Sequence, residues 1–332
     1  MRTVFFLPPL RRMSGGLAVI YDTARALMEL GRNVALCAPD SEAAGLAEAR
    51  QRGMPLVSWG QPGLSASDIW CVPESWPNAL APGINAGARP VVYAQSWTFL
   101  LTTLPEGVHW RQLPVSFLAV SEPVAYFLRA VLGVEPMGVL PPAVAPEMYR
   151  KNTAPERPTR VAWMPRKNRA LAEQIQKIVE ARLARETSPP HLEWVPIQNM
   201  ERADVAETLA SCRFFLNTAF PEGFGLPPLE AMAAGCIPVG FTGFGGWDYM
   251  RADTGLTPPS PLPKVPWDAN GLFYADGDVL GAGLGLAEAV LRPPTDVALE
   301  SMRINARRAA AAYTPEARVS RLAALWDRLI AL

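Results

Sequence analysis

The side chains best suited to chemistry gather in residues 220–239, which read FPEGFGLPPLEAMAAGCIPV. Two carboxylates, Glu222 and Glu230, have seven residues between them, among them Gly223-Phe224-Gly225 and a proline pair. Glycine lets backbone approach a ligand closely. A helix that starts at Leu226 leaves its first N–H groups unpaired and pointing outward, which favours an anion such as phosphate. Glutamates repel phosphate, so they suit the hydroxyl groups on either side of it. A phosphate flanked by hydroxyls describes a nucleotide sugar. Taken singly, either glutamate is an ordinary acidic residue near a helix start, favoured by the macrodipole. The pair, with its glycines and prolines, is more specific.

Cations that could meet such an anion lie in Met164-Pro-Arg-Lys-Asn-Arg169. Arginine matches phosphate through paired N–H donors. Basic residues are unfavourable at the positive end of a helix, so a plain solvated helix start explains them less well. Arg166 is the first choice, and Lys167 and Arg169 both remain open for a second cation. Ser14-Gly15-Gly16, after the first strand, offers another helix start for an anion. Arg11 and Arg12 beside it either face a ligand or cover a solvated loop.

These groups must be positioned by strands and helices. Apolar runs predict strands at 4–7, 34–38, 68–72, 90–94 and 117–120, with helices at 17–30, 78–86 and 123–132. Residues 143–158 are rich in proline and polar groups and read as a linker. The alternation then restarts with strands at 160–164, 191–195, 213–217 and 236–240. Helices are expected at 169–184, 202–210, 226–234, from 276 onward and at 315–331. Between them lie a glycine turn at 242–248 and a proline-rich loop at 254–268. Repeated βα alternation predicts an α/β chain with parallel sheets in two Rossmann-like domains facing a cleft. Ligands of such sheets sit outside the carboxyl ends of the strands. The first βα loop lacks GxGxxG, which argues against a dehydrogenase.

Composition narrows the class further. A length of 332 residues suggests about two domains. A net charge of zero gives no electrostatic footprint for nucleic acid. No apolar run reaches the roughly 18 residues of a transmembrane helix, so no transmembrane segment is expected. The apolar start of the chain is short and broken by proline, unlike a signal peptide. Cys37, Cys71, Cys212 and Cys236 form no CxxC pattern and read as buried reduced thiols, which points to a cytoplasmic protein. With only two histidines, His109 and His191, a histidine-rich zinc site is not expected. Asp276-Gly277-Asp278 looks like a metal-binding DxD, but its place at a helix start favours capping.

With its glutamate pair around Gly-Phe-Gly and Pro-Pro, the 220–239 stretch resembles the signature of retaining glycosyltransferases of the GT-B fold, specifically glycosyltransferase family 4 (the group 1 transferases). The resemblance covers the whole chain in architecture and is motif-specific over roughly 160–275. It implies an acceptor-side domain at 1–148, a donor domain at 159–312, and a last helix at 313–332 that packs back on the first domain. It also implies transfer of a sugar from a UDP- or GDP-sugar to an acceptor, without a metal or other cofactor. Partners would be the nucleotide sugar and a carbohydrate, lipid-linked or protein acceptor, with peripheral membrane contact where the acceptor is a lipid. In the family pattern Glu222 contacts hydroxyls of the donor sugar, and Arg166 with Lys167 or Arg169 meets the diphosphate. The backbone of Phe224, Gly225 and Leu226 meets phosphate and sugar, Glu230 holds the ribose, and Ile197 and Gln198 meet the base. Gly15 and Gly16 face the donor phosphates, while Gln95 and Trp97 fall on the acceptor side.

Two departures stand out. Many family members carry a histidine where this chain has Gln95-Ser96-Trp97. Retaining transfer in this class needs no protein base, since the donor phosphate can take the acceptor's proton. A Pro-Glu pair usual after the glycine turn is here Trp247-Asp248. Asp248 either holds a sugar hydroxyl or caps a helix. Trp70, Trp76, Trp97 and Trp110 could stack on a sugar, although core packing is the ordinary role for most tryptophans. The rival functions are a sugar-nucleotide epimerase or hydrolase on the same fold, which the scarcity of histidine disfavours, and a non-catalytic nucleotide-sugar-binding partner.

Overall fold

The computed structural model describes residues 1–154, 158–258 and 263–331. Residues 155–157 of the expected linker, 259–262 of the expected proline-rich loop and residue 332 lie outside the described residues. The chain forms two compact units, Met1–Pro142 with Arg318–Leu332, and Ala143–Ala317.

In the first unit the strands are β1 (Thr3–Phe6), β2 (Val34–Ala38), β3 (Leu56–Ser58), β4 (Ile69–Pro73), β5 (Arg89–Ala94), β6 (Ser116–Ala119) and β7 (Gly138–Val139). The helices between them are α1 (Gly15–Glu29), α2 (Leu46–Gln51), α3 (Ala81–Asn85), α4 (Trp97–Thr102) and α5 (Glu122–Ala130). All strand pairs are parallel, in the order β3-β2-β1-β4-β5-β6-β7. Central strands covered on both faces must be apolar throughout, and β1 and β4 are buried at every residue. Phe5, Phe6, Trp70, Tyr93 and Phe117 fill this core.

The second unit holds β8 (Thr159–Trp163), α6 (Arg169–Leu183), β9 (Leu192–Pro196), α7 (Arg202–Ala210), β10 (Phe214–Asn217), α8 (Leu226–Ala234), β11 (Ile237–Phe241), β12 (Leu272–Tyr274), α9 (Val279–Leu291) and α10 (Val297–Ala311). Its parallel sheet runs β12-β11-β10-β8-β9. Val161, Phe214, Leu216, Val239 and Phe241 meet Ile175, Val179, Leu286 and Leu299 in one core.

The last helix, α11 (Pro315–Ala331), belongs to the first unit from Arg318 onward. Trp326 is buried against Phe5, with ring centroids 6.1 Å apart, and its Nε1 donates to Thr3 Oγ1 at 3.0 Å. The buried Arg318 donates to Thr23 Oγ1 at 2.6 Å and to the Pro141 carbonyl at 3.2 Å. Among the described residues no helix is long and apolar enough to cross a membrane.

The helix expected at 78–86 is instead a 3-10 turn, Pro77–Leu80, followed by α3. Pro77 begins the 3-10 turn and Pro82 is the second residue of α3, places where proline's missing N–H costs no helical hydrogen bond. The helical region expected from 276 begins at Val279 and divides at Pro293-Pro294 into α9 and α10.

Candidate functional site

In the second unit the chain runs from β8 to β9 on one side, then returns to place β10 on the other side of β8. Such a switch point leaves a crevice outside the strand ends, where ligands bind. The loops that leave β8 and β10 flank it, and they carry Arg166, Lys167 and Glu222.

Side chains tie these loops together. Asn168 Nδ2 donates to the carbonyls of Thr218 (2.8 Å) and Phe220 (3.1 Å), and Thr218 Oγ1 donates to the Lys167 carbonyl at 2.5 Å. On the other flank, Glu222 N–H donates to the Gly243 carbonyl at 2.8 Å, and Gly245 N–H to the Glu222 carbonyl at 3.0 Å. Asp276 Oδ1 in turn accepts from Gly243 N–H at 2.9 Å. On this frame Lys167 Nζ donates to Glu222 Oε1 in a half-buried ion pair. Arg166 is exposed and makes no hydrogen bond or ion pair among the described residues. Arg169 is turned elsewhere: its side chain is 69% exposed and pairs with Glu173 along α6 at 2.7 Å. Of the two candidates for a second cation, the structure therefore brings Lys167 to Glu222.

Gly225 precedes α8 at φ 81°, a left-handed conformation that costs other residues roughly 1–2 kcal/mol. Pro227 and Pro228 occupy the first turn and have no N–H. The helix start therefore offers an anion fewer donors than an ordinary one. The Phe224–Leu226 segment is held from beneath. Tyr249 OH donates to the Gly225 carbonyl, and the buried Phe224 ring packs on Tyr249 and Tyr313 with centroids 5.3 and 5.5 Å away. Asp248 has a partner within the second unit. It is buried in a 3-10 turn and accepts from Tyr313 OH at 2.8 Å, because the turn points it into the aromatic cluster. Asp278 caps α9 by accepting from Gly281 N–H at 2.8 Å.

Glu230 lies partly buried in α8. Burial pushes its carboxyl up to about 7, against the pull of Arg202 and Arg166, with Glu147 adding to the rise. Arg202 itself stands 3.8 Å from Glu147. The β9 exit lies beside β8: Ile197 is buried, and its N–H donates to the Trp163 carbonyl at 2.8 Å, whereas Gln198 is exposed.

The remaining site candidates lie in the first unit, whose sheet switches direction between β1 and β4. Ser14 Oγ accepts from Leu17 N–H at 3.2 Å and caps α1, which begins at the exposed Gly15. Gly16 lies so close to Gln95 that a Cβ there would stand 3.0 Å from Gln95 Oε1, so only glycine fits without displacing that amide. Gln95 leaves β5, and Trp97 opens α4 against Phe127 with centroids 5.7 Å apart. Glu74, one residue past β4, is 2% exposed and accepts N–H from Gln95 (3.0 Å) and Ser96 (2.8 Å). Burial nevertheless pushes its carboxyl up to about 7. Trp70 and Trp110 are core residues, with Nε1 donating to the carbonyls of Ala79 and Leu100, each at 2.7 Å. Arg11 pairs with Asp40 at 3.0 Å and with Glu42, so it is engaged within its own loop region.

Sequence reasoning missed Glu74, Asn168, Arg202 and Tyr249, and it read Asp276 only as part of a helix start, not as the acceptor for Gly243 N–H. One signal was available for Glu74, a carboxylate at the end of an otherwise apolar strand run.

Glu74 makes folding pH-dependent with a definite sign. Its folded value of about 7 lies above the ordinary 4.5, so protonation favours the folded state. The stability this gives is complete below the ordinary value and is lost as pH rises through about 7, a change of about 3 kcal/mol. Urea unfolding of wild type and Glu74→Gln at about pH 5 and about pH 8 is expected to show the two converging or crossing, with wild type losing about 3 kcal/mol more on the alkaline side. Parallel pH dependence in the two proteins would contradict this.

No family model matches the chain. It is similar to an alpha-1,6-glucosyltransferase of Actinobacillus pleuropneumoniae serotype 7, 24% identical over 245 residues that make up 73% of each chain. Its fold is similar to that of a glycosyltransferase from Rickettsia africae, with a TM-score of 0.70 at 10% identity over 99% of this chain and 98% of that one. It is also similar to the catalytic domain of starch synthase IV from Arabidopsis thaliana bound to ADP and acarbose, with a TM-score of 0.56 at 14% identity over 100% and 99% of the two chains. In architecture, two parallel-sheet α/β units in one chain, the protein has the GT-B fold of glycosyltransferases.

Proposed function

We propose that the chain is a retaining glycosyltransferase that moves a sugar from a UDP- or GDP-sugar to an acceptor, with side chains rather than a metal meeting the diphosphate charge. The observation that carries this reading is the Lys167–Glu222 pair at the switch point of the second sheet, with Arg166 unengaged on the same loop. Breaking the bond between the anomeric carbon and the diphosphate leaves negative charge on the leaving group. Fixed cations at that place are the strongest means of stabilising it. Arg166 and Lys167 supply them. A diphosphate that draws Lys167 toward itself releases Glu222 to accept hydrogen bonds from hydroxyls of the donor sugar. Glu230 takes the ribose, the backbone of Phe224–Leu226 the phosphate and sugar, and the Ile197–Gln198 segment the base. Gly15 and Gly16 add a second anion contact, and Gln95 and Trp97 serve the acceptor. The leaving phosphate oxygen accepts the acceptor's proton, which suits a position held by Gln95, a residue that does not titrate. The relatives named above support this reading by their fold and by the ADP bound in one of them.

The test is turnover of a panel of nucleotide sugars with water as the acceptor, read by early proton NMR in excess EDTA. An α-linked donor is expected to release its nucleotide and, first, the α-anomer of the free sugar. Initial release of the β-anomer would overturn retention. Loss of turnover on chelation would overturn the metal-free reading, and rearranged sugar still attached to nucleotide would favour an epimerase.

A further inference from the structure

The buried carboxylate of Glu74 has no part in the donor chemistry, yet it is bonded on every side to one segment. Its two oxygens accept from Gln95 and Ser96 N–H at 3.0 and 2.8 Å, and its carbonyl accepts from Thr103 Oγ1 at 3.0 Å. Ser96 and Thr103 are the two caps of α4, so one residue ties down both ends of that helix. Gln95 Oε1 lies beside Gly16 in the first turn of α1, 3.0 Å from where a Cβ on that glycine would stand. The segments that follow β1, β4 and β5 thus meet at Gln95 beside the switch point, Glu74 at its backbone and Gly16 at its side chain. Crevices of this kind are where α/β sheets hold ligands.

We propose that Glu74 is a positioning residue, which clamps the Gln95–Ser96 turn so that the Gln95 amide is presented beside Gly16 to a hydroxyl group of the acceptor. The inference rests on the glycosyltransferase reading and deepens it on the acceptor side. A carboxylate kept for stability would be expected to gain from its burial. Glu74 is instead held at a cost, since burial disfavours its charged form more than its backbone bonds favour it. An amide in its place removes that cost while giving up part of the clamp.

The experiment uses Glu74→Gln and Glu74→Asp in the full chain. Hydrogen exchange of peptides spanning 95–103 reads the clamp, and hydrolysis of UDP-glucose, GDP-mannose and ADP-glucose reads turnover, with water in the acceptor's place. Glu74→Gln is expected to fold with a melting temperature at about pH 8 no lower than wild type. Its 95–103 peptides should exchange faster. Its kcat should fall about tenfold to a hundredfold, the scale of a misplaced binding group, while KM for the nucleotide sugar stays within about twofold. Glu74→Asp keeps both acceptor oxygens and should recover part of the loss. Faster exchange with unchanged kcat would overturn the positioning role, and unchanged exchange would overturn the clamp. A raised KM with unchanged kcat would overturn the acceptor-side placement. A wild type that turns over none of the three sugars would overturn the underlying reading, while exchange at 95–103 would still show separately whether the clamp exists.

Discussion

Arg166→Ala is expected to lower kcat/KM for the nucleotide sugar by about 10²–10³-fold, the typical effect of removing one preorganised charge-stabilising donor. The protein should stay folded. Arg166 is exposed and has no hydrogen bond or ion pair among the described residues, so its truncation removes neither. Exposed substitutions of that kind usually change stability by less than about 0.5 kcal/mol. The side chain stands three residues before α6, and its charge reaches Glu230 on α8. A cation there, against the positive end of a helix, is unfavourable without an anion. Arg166→Lys should recover only part of the activity, because lysine lacks the paired donors that match phosphate. Steady-state kinetics beside a melting curve check both halves. Full activity in a folded Arg166→Ala protein would remove this residue from the site.

Phe224→Ala is expected to destabilise the second unit by about 3–5 kcal/mol, the usual range for deleting a buried phenylalanine. The ring is 4% exposed and packs on both Tyr249 and Tyr313. Its loss leaves a hole under the backbone that carries Gly223 and Gly225. Nucleotide affinity should therefore fall more than the drop in the folded fraction explains, and Phe224→Leu should be milder in both respects. Urea unfolding measures the first effect, and titration well below the melting point the second. A loss under about 1 kcal/mol would show that the aromatic cluster does not support the loop.

The segment that carries the donor-side loop was the most legible part of the fold. The structure places α8 at Leu226–Ala234, as the sequence predicts, because two prolines at the start and Gly235 at the end are local signals. The strands beside it, β10 and β11, are buried at every residue and mostly apolar, as covered parallel strands must be. Short elements escaped for the opposite reason. β3 has three residues, none of them buried, and β12 has three with only Phe273 buried. Such segments gain their strand character only from a neighbour. The α2 helix starts at a left-handed Gly45 without a side-chain cap, so it lacks the clearest start signal.

The site divides in the same way. Glu222, Arg166 and Lys167 were visible as residue types next to strand ends. Which basic residue meets Glu222 was not, since Lys167 and Arg169 differ only in where the loop turns them. The supports were invisible because they act across the chain. Glu74 bonds 21 residues away, Tyr249 24 and Asn168 50. No spacing rule links such positions. Asp248 shows the converse, a polar residue in a suggestive place whose partner, Tyr313, is 65 residues on.

The central claim is that the second unit's switch point binds a nucleoside diphosphate through Arg166, Lys167 and Glu230. Its most direct test is a thermal-shift titration of wild type, Arg166→Ala, Lys167→Ala and Glu230→Ala with UDP, GDP, ADP and CMP. A ligand at about 100 times its Kd adds about 2.7 kcal/mol to stability. One nucleoside diphosphate is expected to raise the wild-type melting temperature by several degrees, with the response lost or much reduced in folded samples of all three variants. No shift with any of the four, or an equal shift in wild type and variants, would contradict the claim.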